Sequence, residues 1–245
     1  MDGVQLCARF SIATSRREYC GPAGASSLLE RAVTEGEGLD EAREALSRFE
    51  ALMPYLEAIG GRHGLDPFDA RVVEAYWMGN DLLDAFRKED FLHLLETLVR
   101  RGLPRSVASE LARRLPEGAI PHHAFHVAFV GVGAVTGHVE TTLGNMEECR
   151  PALAQIVGIE GRSLVARKPR LTWVGGALTL SNPGESRVTF DERFLPGIRV
   201  GDPVVLHWGW PCLKPEAAQA DRLERYTARA LALASPAFTA AEVVP

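Results

Sequence analysis

Val204-Val205-Leu206 is a short apolar run that ends in His207 and is followed by Trp208-Gly209-Trp210. A run of this length, preceded by the Pro196-Gly197 and Gly201-Asp202 turns, reads as a buried strand carrying an imidazole at its end. Such an imidazole at the edge of a small β-structure can bind a metal or a proton, and a thiolate from a distant strand can complete the pair. Cys149 is the thiol in question. The same residues also fit a half-buried histidine packed beside Trp208 and Trp210, with no chemistry.

Two further stretches hold reactive side chains. Pro121–Val139, PHHAFHVAFVGVGAVTGHV, contains His122, His123, His126 and His138. His122 and His126 share a face in a helix and also in a strand, which makes them a candidate metal pair, although no HExxH pattern is present. Tyr19-Cys20-Gly21-Pro22 reads as a turn into a helix, where a cysteine can have a lowered pKa or can be purely structural. The cysteines Cys7, Cys20, Cys149 and Cys212 form neither a zinc CxxC pair nor a disulfide framework, so free thiols are expected.

These residues must be positioned by two different kinds of structure. Residues 1–24 read as irregular. From Leu39 the apolar positions Ala42, Leu46, Phe49, Leu52, Met53, Leu56 and Ile59 follow helical spacing, with Pro54 as a kink or split and Gly60-Gly61 as the stop. Asp66-Pro67 looks like the next helix start, and further helices are expected around Phe91–Val99 and from Ser106. Residues 121–139 are rich in Val and Phe and are punctuated by glycine, which favours a strand.

After Gly144-Asn145 short strands are expected at 154–159, 163–166, 171–174, 177–180, 187–190 and 203–207. Spacing of this kind suggests a small antiparallel barrel. A helix follows from Pro215. The expected class is therefore α+β, with a mainly helical domain over 1–144, its strand-like His-rich end at 121–139, and a small barrel plus C-terminal helix over 145–245.

Composition narrows the partners. Hydrophobic residues at 46% and charged residues at 24% are globular values. A net charge of −5 argues against nucleic acid as the main partner. The N-terminus lacks a signal-peptide pattern and no apolar run is long enough for a membrane span, so the expectation is a cytoplasmic protein with no membrane partner.

Two motifs carry a resemblance. Cys149 leads into Arg150-Pro151-Ala152-Leu153-Ala154-Gln155-Ile156-Val157-Gly158, and Val200-Gly201-Asp202-Pro203-Val204-Val205-Leu206-His207-Trp208-Gly209-Trp210 follows later. Together with the helix after Pro215, residues 149–235 resemble the HypC/HupF family of nickel–iron hydrogenase maturation chaperones. The resemblance implies an OB-like barrel whose leading cysteine, helped by the histidine, holds an iron carrying cyanide and carbonyl ligands. It also implies a protein partner, either a HypD-like scaffold or a hydrogenase large-subunit precursor. By position Cys149 is then the iron ligand and His207 its partner. Cys149 departs from the family in being internal, in following Glu147-Glu148, and in preceding Pro-Ala-Leu-Ala rather than Ala-Ile-Pro-Gly.

Three readings follow. The first is an accessory protein of metallocentre assembly that binds a metal fragment or docks on a partner. The second is a metal- or thiol-dependent enzyme with its site between the two parts, using His122, His123 and His126 with Cys149, Cys20 or His207. The third is a binding module that retains the barrel without the metal chemistry.

Overall fold

The first helix, α1 (Gly3–Arg16), starts at Asp2, whose carboxylate accepts the N–H groups of Val4 and Gln5 at 2.8 and 3.3 Å. That cap overturns the expectation of an irregular N-terminus. Periodicity concealed the helix because Ser11, Thr14 and Ser15 are buried in it. Ser11 and Thr14 return their hydroxyls to the backbone, to Cys7 O at 2.9 Å and Ser11 O at 3.0 Å, which makes burial of those two tolerable. The computed structural model describes residues 1–235, so the end of the 145–245 unit lies outside the described residues.

The helical body continues with α2 (Ala25–Thr34), α3 (Leu39–Ser47), α4 (Leu52–His63), α5 (Ala70–Trp77), α6 (Lys88–Arg100) and α7 (Arg105–Arg114). Pro54 sits in the first turn of α4, where its missing N–H costs no intrahelical bond. Gly60 and Gly61 lie inside α4 rather than ending it. The stop is Gly64, at φ 65°. Gly60 is required for packing instead, since a Cβ there would stand 2.7 Å from Leu65 O. The cap of α5 is Asp69, while Asp66 accepts the Phe68 N–H and pairs with Arg43.

Residues 121–139 form no strand. His123–Phe125 make one short helical turn, α8, which passes into a π-helical turn over His126–Gly131. Every residue from Ala119 to Val132 is buried. A segment buried on all sides has no polar face, so its apolar run carries no periodicity that separates strand from helix.

After α9 (Leu143–Cys149) come β1 (Ala152–Glu160), β2 (Ser163–Lys168), β3 (Leu171–Val174), β4 (Ala177–Leu180), β5 (Gly184–Thr189), β6 (Pro203–His207), β7 (Trp210–Leu213) and α10 (Ala217–Ala234). The protein is thus α+β. The main sheet is antiparallel with order β5-β2-β1-β6-β7, and β3-β4 is a separate hairpin. The expected barrel is not closed. No hydrogen-bonded ladder joins the edge strands β5 and β7 among the described residues, and β7 packs against α1.

The alternation of β6 fixes the direction of the site. Val204 and Leu206 point into a small core with Ile156, Leu164 and Val188. Val205 joins the large core made by the helices. With a side-chain period of two, His207 follows Val205 and faces the helical body. The same large core also takes in Trp208, Trp210, Cys212 and Leu213, so it runs across residues 144–145 without interruption.

Candidate metal centre

Three elements converge on one point. α8 brings His123, the last residue of α9 is Cys149, and the last residue of β6 is His207. Their donor atoms all lie within 4.8 Å of one another. The three residues are buried, at 7, 8 and 1% exposure. Cys149 Sγ stands 3.6 Å from His123 Nε2. A tetrahedral ion with bonds of 2.3 Å to sulfur and 2.0–2.1 Å to nitrogen has an S···N edge of about 3.6 Å, so this pair already has the spacing a shared ion needs.

His207 is preset for ligation. Its Nδ1 lies 2.7 Å from Phe10 O, and because a carbonyl can only accept, Nδ1 carries the proton. That leaves Nε2 as a lone pair, buried without a hydrogen-bond partner; the Cys149 carbonyl is close enough to influence the ring but makes no hydrogen bond of proper geometry with it. A backbone carbonyl fixing the tautomer of a ligating histidine is a recurrent feature of metal sites. Burial lowers the His207 pKa to about 4, so at neutral pH no proton competes for that lone pair.

His123 is held differently. Nε2 lies 3.0 Å from Cys149 O and must donate to it, while Nδ1 lies 2.7 Å from Tyr76 Oη and accepts from it. Ligation through Nε2 requires the proton to move to Nδ1, whereupon the Tyr76 hydroxyl becomes the acceptor. Tyr76→Phe removes that acceptor, and a roughly tenfold weaker metal affinity is expected, at the low end of the 10–100-fold loss known for supporting partners. Equal affinities of the two proteins in a competitive chelator titration would refute the switch.

Cys149 is a thiol in the absence of metal. Burial and the neighbouring Cys20 push its pKa well above the ordinary range, and the Trp208 indole acts in the opposite sense. The indole N–H is itself buried and lacks a full hydrogen bond. It would gain one from a thiolate. An unpaired acceptor at His207 and an unpaired donor at Trp208 therefore flank the position where a cation bound to sulfur would sit.

Trp208 is placed at some cost. It has φ 52°, and Gly209 follows at 65°, so the two form a tight β6–β7 turn of the kind that needs left-handed residues. A bulky residue in that region costs on the order of 1–3 kcal/mol. The Trp208 N–H donates to Glu148 O at 2.6 Å, and its ring packs on Tyr19 at 4.8 Å.

Of the two acidic residues before Cys149, Glu147 has its charge balanced by neighbouring cations. Burial acts to raise the Glu147 pKa, but Arg150, Lys168 and the Leu171 N–H together hold it below its usual value. It forms a cluster with Arg150 and Lys168.

The cavity beside the donors has a volume of ≈ 50 Å³, and Cys20, Tyr76, His126 and Trp208 contribute to its wall. Not all sequence candidates join the three-residue group. His126 bonds through Nδ1 to Tyr55 Oη at 2.9 Å, and its ring stacks on His123 at 6.0 Å. His122 lies elsewhere, stacked on Tyr226 at 6.2 Å, with Nε2 buried and unpaired. His122 is the extended N-cap of α8, at φ −100° and ψ 143°, with Nδ1 turned back to accept the Ala124 N–H, and this separates the expected pair. Trp210 packs on Phe194 at 5.1 Å under Arg16 and does not line the cavity. His123 stood in the sequence as one of four clustered histidines. The one sequence signal that could have singled it out is its distance of three residues from His126, one helical turn, on whose ring it stacks.

Residues 1–241 match the model of a family of unknown function, DUF6390. The chain belongs to that family. No curated protein and no solved structure matches it. The DUF6390 match runs through residues 144–145, so the helical body that supplies His123 and the sheet that supplies His207 belong to one family unit. No helix among the described residues is long and apolar enough to cross a membrane.

Proposed function

We propose that the protein is an accessory factor of metallocentre assembly that holds a soft metal ion or metal fragment between His123, Cys149 and His207. The observation that carries this reading is the convergence of those three buried donors, with His207 Nε2 left bare. Thiolate and imidazole together suit iron, zinc or copper rather than magnesium or calcium. The resemblance of residues 149–235 to the HypC/HupF chaperones, at Cys149 and at the His207 motif, favours iron carrying cyanide and carbonyl ligands as the cargo. The same resemblance favours a HypD-like scaffold or a hydrogenase large-subunit precursor as the partner.

The size of the cavity weighs in the same direction. A volume of ≈ 50 Å³ holds an ion with small ligands, roughly three water-sized groups, and excludes most organic substrates. That disfavours an enzyme with a site between the helical and sheet parts. Enclosure by the helical body replaces the free N-terminal cysteine of the small chaperones, so release of cargo from this protein requires the site to open.

The test is metal binding by protein purified without chelator. Ferrous iron and cobalt should bind at one equivalent per chain, and Cys149→Ala and His207→Ala should each weaken binding at least 100-fold with the far-UV spectrum preserved. Wild-type affinity in both variants would end the proposal.

A further inference from the structure

For a bare divalent ion, as distinct from an iron that already carries cyanide and carbonyl, the three donors leave the site short of one ligand and short of one negative charge. A divalent cation bound by one thiolate and two neutral imidazoles has a net charge of +1. No aspartate or glutamate is among the described residues that line the cavity, although Glu50 lies close enough to Cys20 to act against its ionisation, and Arg17 is close enough to His207 to add to the positive potential. A buried uncompensated charge is costly, so a second anion is required if the ion is to remain in this pocket. A cysteine on the same wall can supply both the missing ligand and the missing charge.

Cys20 is that residue. It lines the cavity shared by His123, Cys149 and His207, and it is partly exposed where those three are buried. It lies on the connection between α1 and α2, beyond Glu18, which takes φ 56°. The segment is pinned at its edges: Thr136 Oγ1 donates to Tyr19 O at 3.1 Å and Gly21 N donates to Glu50 at 3.1 Å. Tyr19 covers Trp208, so the segment forms the outer wall of the site. Cys20 is outside the group of atoms within 4.8 Å, so an inward movement of this segment is needed to bring its sulfur onto the ion.

We propose that Cys20 is the fourth ligand, a second thiolate that closes the outer side of the His123–Cys149–His207 site around a borderline-soft divalent cation. This inference rests on the metal-site reading above. A set of two thiolates and two imidazoles makes the bound divalent ion electrically neutral and suits tetrahedral coordination. Binding is then coupled to closure of the segment from Arg17 to Pro22, and release of the ion begins with loss of the Cys20 bond.

Cobalt is the probe, because each thiolate bound to it adds intensity to the near-ultraviolet charge-transfer band. The wild type should show the intensity of two thiolates at one cobalt per chain. Cys20→Ser should still bind cobalt but show about half that intensity. In the wild type, cobalt should protect Cys20 from alkylation, measured by mass spectrometry, at least tenfold relative to the metal-free protein; this measurement does not depend on the variant folding. Cobalt bound with a one-thiolate band in the wild type, or Cys20 alkylated equally fast with and without cobalt, overturns the role of Cys20 and leaves the three-donor site standing. No cobalt bound by the wild type overturns both.

Discussion

Acidification from pH 7 to about pH 5 should unfold the metal-free protein cooperatively. His122, His123, His126 and His207 are all buried, at 7% exposure or less. Burial lowers their pKa values to about 3 for His122 and about 4 for His126 and His207, and well below the usual range for His123. In the unfolded chain each titrates near 6.5. Between the two values the unfolded state binds a proton that the folded state refuses, so stability is full above pH 6.5 and falls as the pH drops towards 4.

Each such histidine contributes a limiting slope of about 1.4 kcal/mol per pH unit, and four together approach about 5 kcal/mol per unit. The slope acts only below pH 6.5, so by pH 5 the loss is about 8 kcal/mol, which is comparable with the usual total of about 5–15 kcal/mol for a domain. The transition, followed by tryptophan fluorescence and far-UV circular dichroism, should be accompanied by uptake of three to four protons. His122→Phe keeps the stacking with Tyr226 and removes one of the titrating groups, so it should shift the midpoint to lower pH. A native spectrum at pH 4, or uptake of fewer than two protons, would show that these rings are not held neutral by burial.

The parts of the site differ in how far the sequence exposed them. His207 was legible because β6 is a continuous apolar run with a turn before it, and the strand occupies Pro203–His207 as expected. Its orientation towards the helices followed only from knowing which face of β6 is covered by which core. Cys149 was found through the motif it leads, although α9, which ends on it, gave no periodic signal in seven residues. The role of His123 was hidden because residues 119–132 are buried on all sides, which removes the contrast that separates a period of 2 from one of 3.6. A π-helical turn then shifts the register again, since its i→i+5 bonds follow no standard spacing. The β7 strand was missed for another reason: the turn before it is Trp208-Gly209, and a tryptophan at positive φ is not a turn signal.

Removal of one carboxylate should cost as much stability as truncation of a large buried apolar side chain near the site. Glu147 accepts from Arg150 Nε at 2.9 Å and from Leu171 N at 2.7 Å, and Lys168 Nζ also bonds to it. The side chains of Arg150 and Lys168 are only 4 and 8% exposed. Arg150 has a second anchor in Pro169 O at 2.6 Å, so it cannot swing out to water without breaking the β2–β3 connection. Glu147→Ala leaves two buried cations with no anion and an unpaired Leu171 N–H. Breaking a buried ion pair from one side costs about 3–5 kcal/mol.

Lys168→Met should cost less, because Arg150 remains to balance Glu147. Glu147→Gln should fall between, since its amide oxygen can still accept from Leu171 N. The ordering can be read from urea midpoints at constant m-value, with cobalt affinity measured in parallel, because Glu147 lies on the same short helix as Cys149. A Glu147→Ala midpoint corresponding to less than about 1 kcal/mol would mean that water reaches Arg150 and Lys168 freely, and that the cluster does not anchor α9 to the sheet.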